Sequence, residues 1–199
     1  MRKIYTRTGD DGTTGIFGGE RVAKDNVRVE ANGNLDELNS VIGLIRTMLD
    51  KEHKWQTLLK DIQIEIMSMM SITATPEVKR KDNPNRLRPE ITTDMEHEMD
   101  IMTAAMSDNG YFILPGGTTL SAWLHMARVS ARKAERRLVS LHRTDRLPED
   151  VLKFINRLSD LFFIMARYEL FNNGQEEEKW KEFGYKRKTK THSVTENAE

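Results

Sequence analysis

The chain has no cysteine among its 199 residues, which excludes disulfide bonds, thiolate metal sites and cysteine nucleophiles. No apolar run reaches the roughly 18 residues of a membrane-spanning helix, and the N-terminus lacks the apolar core of a signal peptide. Net charge is also missing: 31 basic side chains balance 31 acidic ones, so no overall field favours nucleic acid or an acidic membrane. These absences predict a soluble, cytoplasmic protein that binds neither nucleic acid nor membranes.

The remaining composition favours helices around a single core. Only five prolines are present, and glutamate, lysine, arginine, leucine and methionine, which are good helix formers, are abundant. One domain is expected over residues 1–184, because this length suffices for one hydrophobic core. Residues 185–199 are polar and are expected to form a disordered tail. The 11 methionines suggest an adaptable core or an apolar pocket that accommodates a bulky ligand.

Apolar residues recur at helical spacing in five segments. The predicted helices cover residues 34–51, 54–74, 93–109, 119–142 and 148–172. Thr92 or Thr93 with Glu96 forms a capping-box start for the third, and Pro148 is expected at the first position of the fifth. The fifth is apolar over so wide an arc that it is predicted to be central in the bundle or at a subunit interface. Five helices with short connections predict an all-α, antiparallel five-helix bundle.

Two stretches outside the helices are predicted to be irregular. Residues 20–34 are polar, and residues 79–89 are expected to form a solvated basic connector. The N-terminal 19 residues hold five of the chain's 12 glycines, and no regular element is predicted from Thr6 to Gly19. Such a segment can direct its N–H groups and hydroxyls toward one point, which is how a backbone cradles phosphate.

The glycine-rich segment does not match a P-loop, because it lacks G-x-x-x-x-G-K-[ST] and the surrounding strand and helix. Asp10 and Asp11 can hold a divalent cation or serve as turn residues, and the sequence leaves both interpretations open. The five histidines are scattered without zinc-ligand spacing, and no Ser-His-Asp set is evident.

The fourth predicted helix carries a row of cations. Arg128, Arg132 and Arg136 are spaced four apart and therefore share one face, and Glu135 is placed to hold the Arg132 guanidinium. This row is either a solvated, salt-bridged surface or an arginine fork for polyphosphate. On the fifth helix, Asn156 and Asp160 share a face among apolar residues. They either bond to a neighbouring helix, or Asn156 contacts a ligand held by the fourth helix.

Five motifs, in order and with compatible spacing, closely resemble the PduO-type ATP:cob(I)alamin adenosyltransferases. They are YTRTGDDGTTGIFGGERVAKD (5–25), LDELNS (35–40), FILPGG (112–117), LHMARVSARKAERR (124–137) and FINRLSDLFFIMAR (154–167). The resemblance covers residues from about 3 to about 180. It implies a five-helix bundle that assembles as a homotrimer, with active sites between adjacent subunits.

The resemblance also implies a reaction. Members of the family transfer the 5′-deoxyadenosyl group of ATP to the cobalt of reduced cobalamin, and they release triphosphate. ATP and cobalamin are thus the expected substrates. Mg²⁺ is the expected cation, held mainly by the ATP phosphates. A reductase and an adenosylcobalamin-dependent enzyme are possible partners.

Residue roles follow from the same motifs. Arg132, Glu135 and Arg136 are the expected catalytic residues. The expected ATP-binding residues are Thr6, Arg7, Thr8, Gly9, Thr14, Gly15, Lys24, Arg132, Lys133, Ala134, Glu135, Arg136 and Asn156. Phe112 matches an aromatic residue that packs under the corrin, and Asp36 matches an aspartate that pairs with Arg132 across the subunit interface.

The sequence departs from the family pattern in a few places. Lys133 replaces a usual arginine and cannot make planar bidentate contacts. Asn32 stands where an aromatic residue is common, and Leu35 where valine is.

Two other functions compete with the transferase. One is a non-catalytic carrier that delivers adenosylcobalamin to a dependent enzyme; the retained arginines argue against it, because a carrier needs no triphosphate site. The other is a phosphotransferase, which is disfavoured by the missing Walker lysine and by the lack of a base for an acceptor hydroxyl.

Overall fold

The computed structural model describes residues 5–107 and 110–182, and long α-helices make up most of this part of the chain. The helices are α1 (Val27–Met48), α2 (Trp55–Thr73), α3 (Ile91–Ala105), α4 (Thr119–His142) and α5 (Glu149–Asn172). α4 packs against both α1 and α5, while α2 packs on α1 and α3 packs on α5. This arrangement confirms the predicted five-helix bundle.

The core lies where the apolar stripes of the helices meet. Leu38 of α1, Ile62 of α2, and Phe154 and Phe162 of α5 are all fully buried. Burial of one such side chain contributes about 2 kcal/mol. α5 buries apolar side chains against both α4 and α3, so the helix with the widest apolar arc is central in the bundle.

α4 begins as predicted, whereas the starts of α5, α3 and α1 differ from the prediction. Thr118 caps α4 by accepting a hydrogen bond from the Ser121 N–H. Pro148 lies one residue before α5 rather than at its first position. α3 begins at Ile91 without a side-chain cap, so the predicted capping box was wrong. Ile91 is 1% exposed, and its burial outweighs the roughly 1 kcal/mol that a cap at Thr92 provides.

α1 begins at Val27, about two turns earlier than the sequence pattern predicted. The Asn26 side chain accepts a hydrogen bond from the Arg28 N–H and caps the helix. Ala31 is fully buried, and Asn34 donates to the carbonyl of Glu30. Packing and these local bonds therefore override the low helix propensity of the asparagines and glycine in this turn.

Among the described residues, four short strands lie outside the bundle, in places where no regular element was predicted. β1 (Thr13–Gly15) pairs antiparallel with β2 (Arg21–Ala23), and β3 (Tyr111–Ile113) pairs antiparallel with β4 (Lys179–Glu182). Gly18, with φ +87°, helps to turn the chain between the first two. Strands of three or four residues are too short to show the alternation that predicts them.

The basic segment after α2 is folded against the bundle and is not the solvated connector that was predicted. It contains a 3-10 helix (Glu77–Asp82), and Asn83 is 1% exposed with its amide bonded to Thr75 Oγ1 at 2.6 Å. Arg80 and Arg28 both bind the Asp145 carboxylate, at 2.5 and 2.7 Å. This ion cluster joins the start of α1 and the residues after α2 to the α4–α5 loop.

The third helix ends at Ala105, four residues before the predicted end near residue 109, because Met106 is extended. The predicted tail at residues 185–199, and with it the domain boundary at 184, lies outside the described residues. Within residues 5–107 and 110–182, none of the helices combines the length and apolar character needed to cross a membrane.

Candidate active site

α4 presents three arginines on one face, as their spacing predicted. Arg132 and Arg136 are exposed, and Arg128 is half-buried one turn earlier. Among the described residues, no carboxylate forms a salt bridge with any of the three. Burial lowers the pKa of the Arg128 guanidinium, and the nearby charge of Arg132 lowers it further. This arginine face therefore carries uncompensated positive charge that can attract a polyphosphate.

A hydrogen bond between α4 and α5 borders the arginine face. Asn156 Nδ2 donates to Glu135 Oε1 at 2.9 Å, and Asn156 is exposed. Asp160 pairs instead with Arg157 of its own helix, at 3.3 Å. The partner of Asn156 is thus a neighbouring helix, as one interpretation held. The bond still leaves Asn156 at the surface, where it can contact a ligand.

Two residues of the predicted ATP-binding set do not share the arginine face. Lys133 points toward α1, where Nζ lies 2.7 Å from Glu37 Oε2. The hydrogen bond from Lys133 lowers the pKa of the Glu37 carboxyl, against the opposing effect of burial. Ala134 is fully buried in the core, which leaves its side chain no surface for a ligand.

The N-terminal segment folds around Lys24. Thr6 Oγ1 and Thr8 Oγ1 lie 2.9 Å apart. A Cβ atom on Gly9 would come within 3.4 Å of Lys24 Nζ, so glycine permits this close approach. Arg7 has φ +58°, a left-handed conformation that is uncommon outside glycine. Of the positions predicted to hold phosphates, these contacts join Thr6 to Thr8 and Gly9 to Lys24.

The β1–β2 hairpin holds this arrangement in place. Thr14 pairs with Val22, and Gly15 pairs with Arg21, whose guanidinium also bonds the Thr8 carbonyl and Thr13 Oγ1. The residues 5–25 form what we call the N-terminal arm.

Of the two adjacent aspartates in the arm, Asp11 acts as a turn residue. Its Oδ1 accepts hydrogen bonds from the side chain and backbone of Thr13, at 2.8 and 3.0 Å, and these bonds lower its pKa. Asp10 makes no such contact among the described residues, and cation binding by Asp10 stays a prediction. In the described part of the chain, no three histidine or acidic side chains group closely enough to hold a metal ion.

Within one protomer, the arm lies near the C-terminal end of α4. The arm residues Ile16 and Val22 line a cavity of about 260 Å³ together with Leu141 of that helix. Leu141 lies nine residues after Arg132 and five after Arg136, which corresponds to about 13 and about 8 Å along the helix. Among the described residues, no hydrogen bond or ion pair joins Thr6, Thr8 or Lys24 to Arg132 or Asn156.

Phe112 lies on a small aromatic surface beside the bundle. It is 42% exposed on β3, and its ring centroid is 6.1 Å from that of Trp180 on β4. Trp180 was not predicted as a site residue, because β4 is too short for its sequence to indicate a strand. The β3–α4 turn positions this surface through Gly117, where a Cβ would lie 2.4 Å from Leu170.

Asp36 is exposed on α1, next to the Glu37 that binds Lys133. Within residues 5–107 and 110–182, no arginine or lysine forms a salt bridge with it. Its carboxylate is therefore available to a cation from outside the protomer.

The comparisons with known proteins agree with this architecture. The sequence model of the cobalamin adenosyltransferase family matches residues 4–169, so the chain belongs to this family. The chain is 42% identical over 168 residues to the corrinoid adenosyltransferase of Bacillus subtilis (strain 168), covering 83% of this chain and 85% of that protein.

Two further relatives are informative. The corrinoid adenosyltransferase PduO of Salmonella typhimurium is 39% identical over 167 residues; the match covers 83% of this chain and only about half (49%) of that protein. Among solved structures, a variant PduO-type ATP:corrinoid adenosyltransferase from Lactobacillus reuteri, complexed with cobalamin and ATP, superposes with a TM-score of 0.84. It is 36% identical, and the match covers 89% of this chain and 99% of that chain.

Proposed function

We propose that this protein transfers the 5′-deoxyadenosyl group of ATP to the cobalt of cob(I)alamin, which yields adenosylcobalamin and triphosphate. The observation that carries the proposal is the unpaired arginine face of α4, bordered by the Asn156–Glu135 hydrogen bond. Family membership and the corrinoid adenosyltransferase names of the relatives support the same reaction.

The proposed site is shared between two copies of the chain in a homotrimer. The arm of one protomer would hold the nucleotide against the arginine face of its neighbour. Two observations support this: among the described residues, no hydrogen bond or ion pair joins the arm to the arginine face within one protomer, and Asp36 lacks a cation partner. An Asp36–Arg132 pair across the interface would complete the contact.

In this site, the protein stabilises a leaving group and does not generate a nucleophile. Cobalt(I) supplies the electron pair that forms the bond to C5′, while the bond from C5′ to oxygen breaks and triphosphate departs. Arg132, Arg136 and Lys24 would stabilise the negative charge that grows on the phosphate oxygens. Preorganised contacts of this kind contribute on the order of 3 kcal/mol each. No cysteine, serine or histidine base is required.

The arm would orient the reacting carbon. Its threonine hydroxyls and backbone N–H groups can hold the nucleotide at several points, so that C5′ faces the cobalt. The proposed contacts are Thr6, Arg7, Thr8, Gly9, Thr14, Gly15 and Lys24 from the arm, with Glu135 and Asn156 from the facing protomer. A role for Lys133 in ATP binding would require its side chain to leave Glu37.

Phe112 and Trp180 would shape the corrinoid side. An apolar wall at the cobalt excludes water and the lower nucleotide base, and it leaves cobalt four-coordinate. Loss of an axial ligand makes cobalt(II) easier to reduce, so this wall would matter most when a reductase supplies the electron. The chemistry belongs to the corrinoid, and the protein controls access to it.

The described residues fit a magnesium ion held mainly by ATP rather than by a protein cage. They provide no group of three acidic or histidine side chains, and Asp11 is already bonded to Thr13. Magnesium usually retains several waters and binds through one or two carboxylates and substrate phosphates. When bound, it would neutralise part of the phosphate charge.

The test is an anaerobic reaction of the protein with ATP, magnesium and chemically reduced cobalamin. We expect the spectrum of adenosylcobalamin to develop over many turnovers, with triphosphate as the phosphate product. A phosphorylated acceptor with ADP would contradict the proposal in favour of a phosphotransferase. Formation limited to one equivalent per site would favour the carrier.

A further inference from the structure

The N-terminal arm is attached to the bundle through the turn of its hairpin, residues 16–20. Two hydrogen bonds join this turn to the segment that follows α2. The Phe17 N–H donates to the Ala74 carbonyl at 3.2 Å, and Lys79 Nζ donates to the Gly18 carbonyl at 3.3 Å. The turn thus makes one bond in each direction, and none of the expected nucleotide contacts of the arm takes part in either bond.

The carbonyl of Ala74 lies between two carbonyls that one arginine holds. α2 ends at Thr73, and a helix leaves carbonyls without partners at this end. Arg28 Nη1 donates to the carbonyls of Thr73 and Thr75, two residues that are fully buried. The peptide unit between these two is therefore held in place, and its carbonyl, that of Ala74, is directed at Phe17.

Arg28 is fixed at its other terminal nitrogen as well. Nη2 lies 2.7 Å from Asp145 Oδ2, and the Arg28 side chain is only 9% exposed. The same carboxylate accepts a hydrogen bond from the Glu77 N–H at 3.0 Å. Arg28 also lies in the first turn of α1, directly after the arm. One buried side chain therefore fixes both the entry of the arm into α1 and the surface on which the turn lies, as satisfied buried networks do.

The turn also packs closely against Lys79. Gly18 has φ +87°, and a Cβ atom there would lie 2.7 Å from Lys79 Cδ. The next residue, Gly19, has φ +82°, but a Cβ atom there would meet nothing within 4 Å. Both positions require the left-handed conformation that favours glycine. Only Gly18 is also in contact with the lysine.

We propose that Arg28 and Lys79 are positioning residues for ATP: they hold the turn of the arm on the segment after α2 and thereby fix where the other end of the hairpin lies. Thr14 on β1 and Lys24, directly after β2, are the expected nucleotide contacts nearest to this turn. Neither Arg28 nor Lys79 would contact a substrate. The effect on ATP rests on the proposed function, whereas the attachment of the turn does not.

A merely structural role for these side chains predicts different kinetics. If their contacts only stabilise the fold, their loss lowers the fraction of active protein and the apparent kcat, and KM for ATP stays the same. If they position the arm, their loss raises KM for ATP and leaves KM for cob(I)alamin unchanged.

Variants of Lys79 separate the two roles, because this side chain is only half-buried and its loss should not unfold the protein. Lys79→Met keeps the aliphatic chain and removes the donor, whereas Lys79→Arg keeps a donor. Lys81→Met is the matched control. It removes the same charge from the same 3-10 helix, at a lysine that no hydrogen bond or ion pair joins to the arm among the described residues.

The first measurement is amide hydrogen exchange at Phe17, followed by NMR. This N–H should be protected in the wild type and in Lys81→Met, and it should exchange faster in Lys79→Met and in Arg28→Lys. A lysine at position 28 has a single nitrogen and cannot bind both carbonyls and the Asp145 carboxylate as the planar guanidinium does. Equal protection in all four proteins would overturn the proposal. If Arg28→Lys fails to fold, Lys79→Met carries the test.

The second measurement is turnover with ATP and cob(I)alamin. We expect KM for ATP to rise about fivefold in Lys79→Met, since one hydrogen bond is lost, and to stay near the wild-type value in Lys79→Arg and Lys81→Met. Gly18→Ala should raise KM for ATP more than Gly19→Ala, because only the first displaces Lys79. An unchanged KM in Lys79→Met, or an equal rise in Lys81→Met, would overturn the proposal.

Calorimetry of ATP binding without corrinoid separates this proposal from the proposed function. Lys79→Met should bind ATP about fivefold more weakly than the wild type, in line with its KM. If the wild type forms no adenosylcobalamin but this difference in ATP affinity is found, only the proposed reaction is refuted. Equal ATP affinity in the two proteins would overturn the positioning role, whatever the turnover.

Discussion

Asn156 on α5 donates a hydrogen bond to Glu135 on α4 at 2.9 Å, and this bond is the direct link between the two helices at the border of the arginine face. Glu135 is close in sequence to Arg132 and Arg136, neither of which forms a salt bridge among the described residues, so a bond to one of them would be expected. Its carboxylate instead accepts a hydrogen bond from the Asn156 amide. The arginines thereby keep their charge for a ligand, while Asn156 is held at the edge of the same surface.

This bond predicts coupling between the two residues in catalysis. Asn156→Ala and Glu135→Ala should each lower kcat/KM for ATP, and the double variant should lose less than the sum of the two losses, because each residue positions the other. Steady-state kinetics of the double-mutant cycle measures this coupling. Asp160→Ala is the control, since Asp160 pairs only with Arg157 of its own helix among the described residues. Additive losses at Asn156 and Glu135 would show that they act independently.

Arg132 should carry a large part of the transition-state stabilisation. Removal of one preorganised contact to a developing negative charge costs about 100-fold or more in turnover, so we expect a loss of that size in Arg132→Ala. Arg137→Ala is the control for the loss of a nearby cation. Arg137 pairs with Glu30 of α1 at 3.4 Å and is not part of the arginine face, so its loss should have a much smaller effect. Sedimentation should show the same assembly, which we propose is a trimer, in both variants and the wild type. Near-normal turnover by Arg132→Ala would contradict the role of the arginine face.

Phe112 should affect the two oxidation states of the corrinoid differently. In Phe112→Ala, turnover of cob(II)alamin with a reductase should fall far more than turnover of chemically made cob(I)alamin, because the apolar wall matters for removing the axial ligand. Phe171→Ala, at a similarly exposed phenylalanine near the end of α5, is the control. Equal losses with both substrates would count against this role of Phe112.

The ion cluster at Asp145 should be important for stability. Its carboxylate binds Arg28 and Arg80, whose side chains are only 9% and 12% exposed. Asp145→Asn leaves these buried cations without their partner, and we expect it to lower the free energy of unfolding by about 3 kcal/mol. Glu149→Gln is the control, because Glu149 pairs with Arg146 at 3.9 Å on the open surface and should change stability by less than about 1 kcal/mol. Urea unfolding measures both, and a similar small effect at the two sites would contradict the assignment.

His125 should make stability depend on pH in mildly acidic solution. Burial on α4 lowers its folded-state pKa to about 4, from the ordinary value of 6.5, so between these values the unfolded state binds more protons. The free energy of unfolding therefore decreases as pH falls through this window. His125→Asn should show a smaller decrease, while His97→Asn should resemble the wild type. Urea unfolding at several pH values checks this, and an identical pH dependence in all three proteins would show that His125 is not buried as a neutral group.

The sequence predicted the helices well where packing follows periodicity. The central position of α5 follows from apolar residues such as Phe154, Leu158 and Phe162, and the start of α4 follows from its cap at Thr118. The predictions failed where long-range contacts decide the structure. The basic segment after α2 is ordered by Arg80 and Asp145, which are 65 positions apart, and no local pattern reveals such a bond.

Prediction of the candidate site had a similar limit. Helical spacing placed Arg132 and Arg136 on one face, as the structure has them, and motif resemblance drew attention to Glu135 and Asn156. Spacing alone could not tell that Glu135 binds Asn156 rather than Arg132, because that choice depends on how α5 packs against α4. It also could not show that Lys133 turns toward Glu37 on α1.

The most direct test of a site shared between protomers is complementation between two inactive variants. Lys24→Ala damages only the arm, and Arg132→Ala damages only the arginine face. When equal amounts are unfolded and refolded together, random assembly should pair an intact arm with an intact face at about one interface in four. We predict recovery of about a quarter of wild-type adenosylcobalamin formation, whereas each variant refolded alone stays inactive. A mixture no more active than its two components, although mixed trimers form, would contradict the shared site.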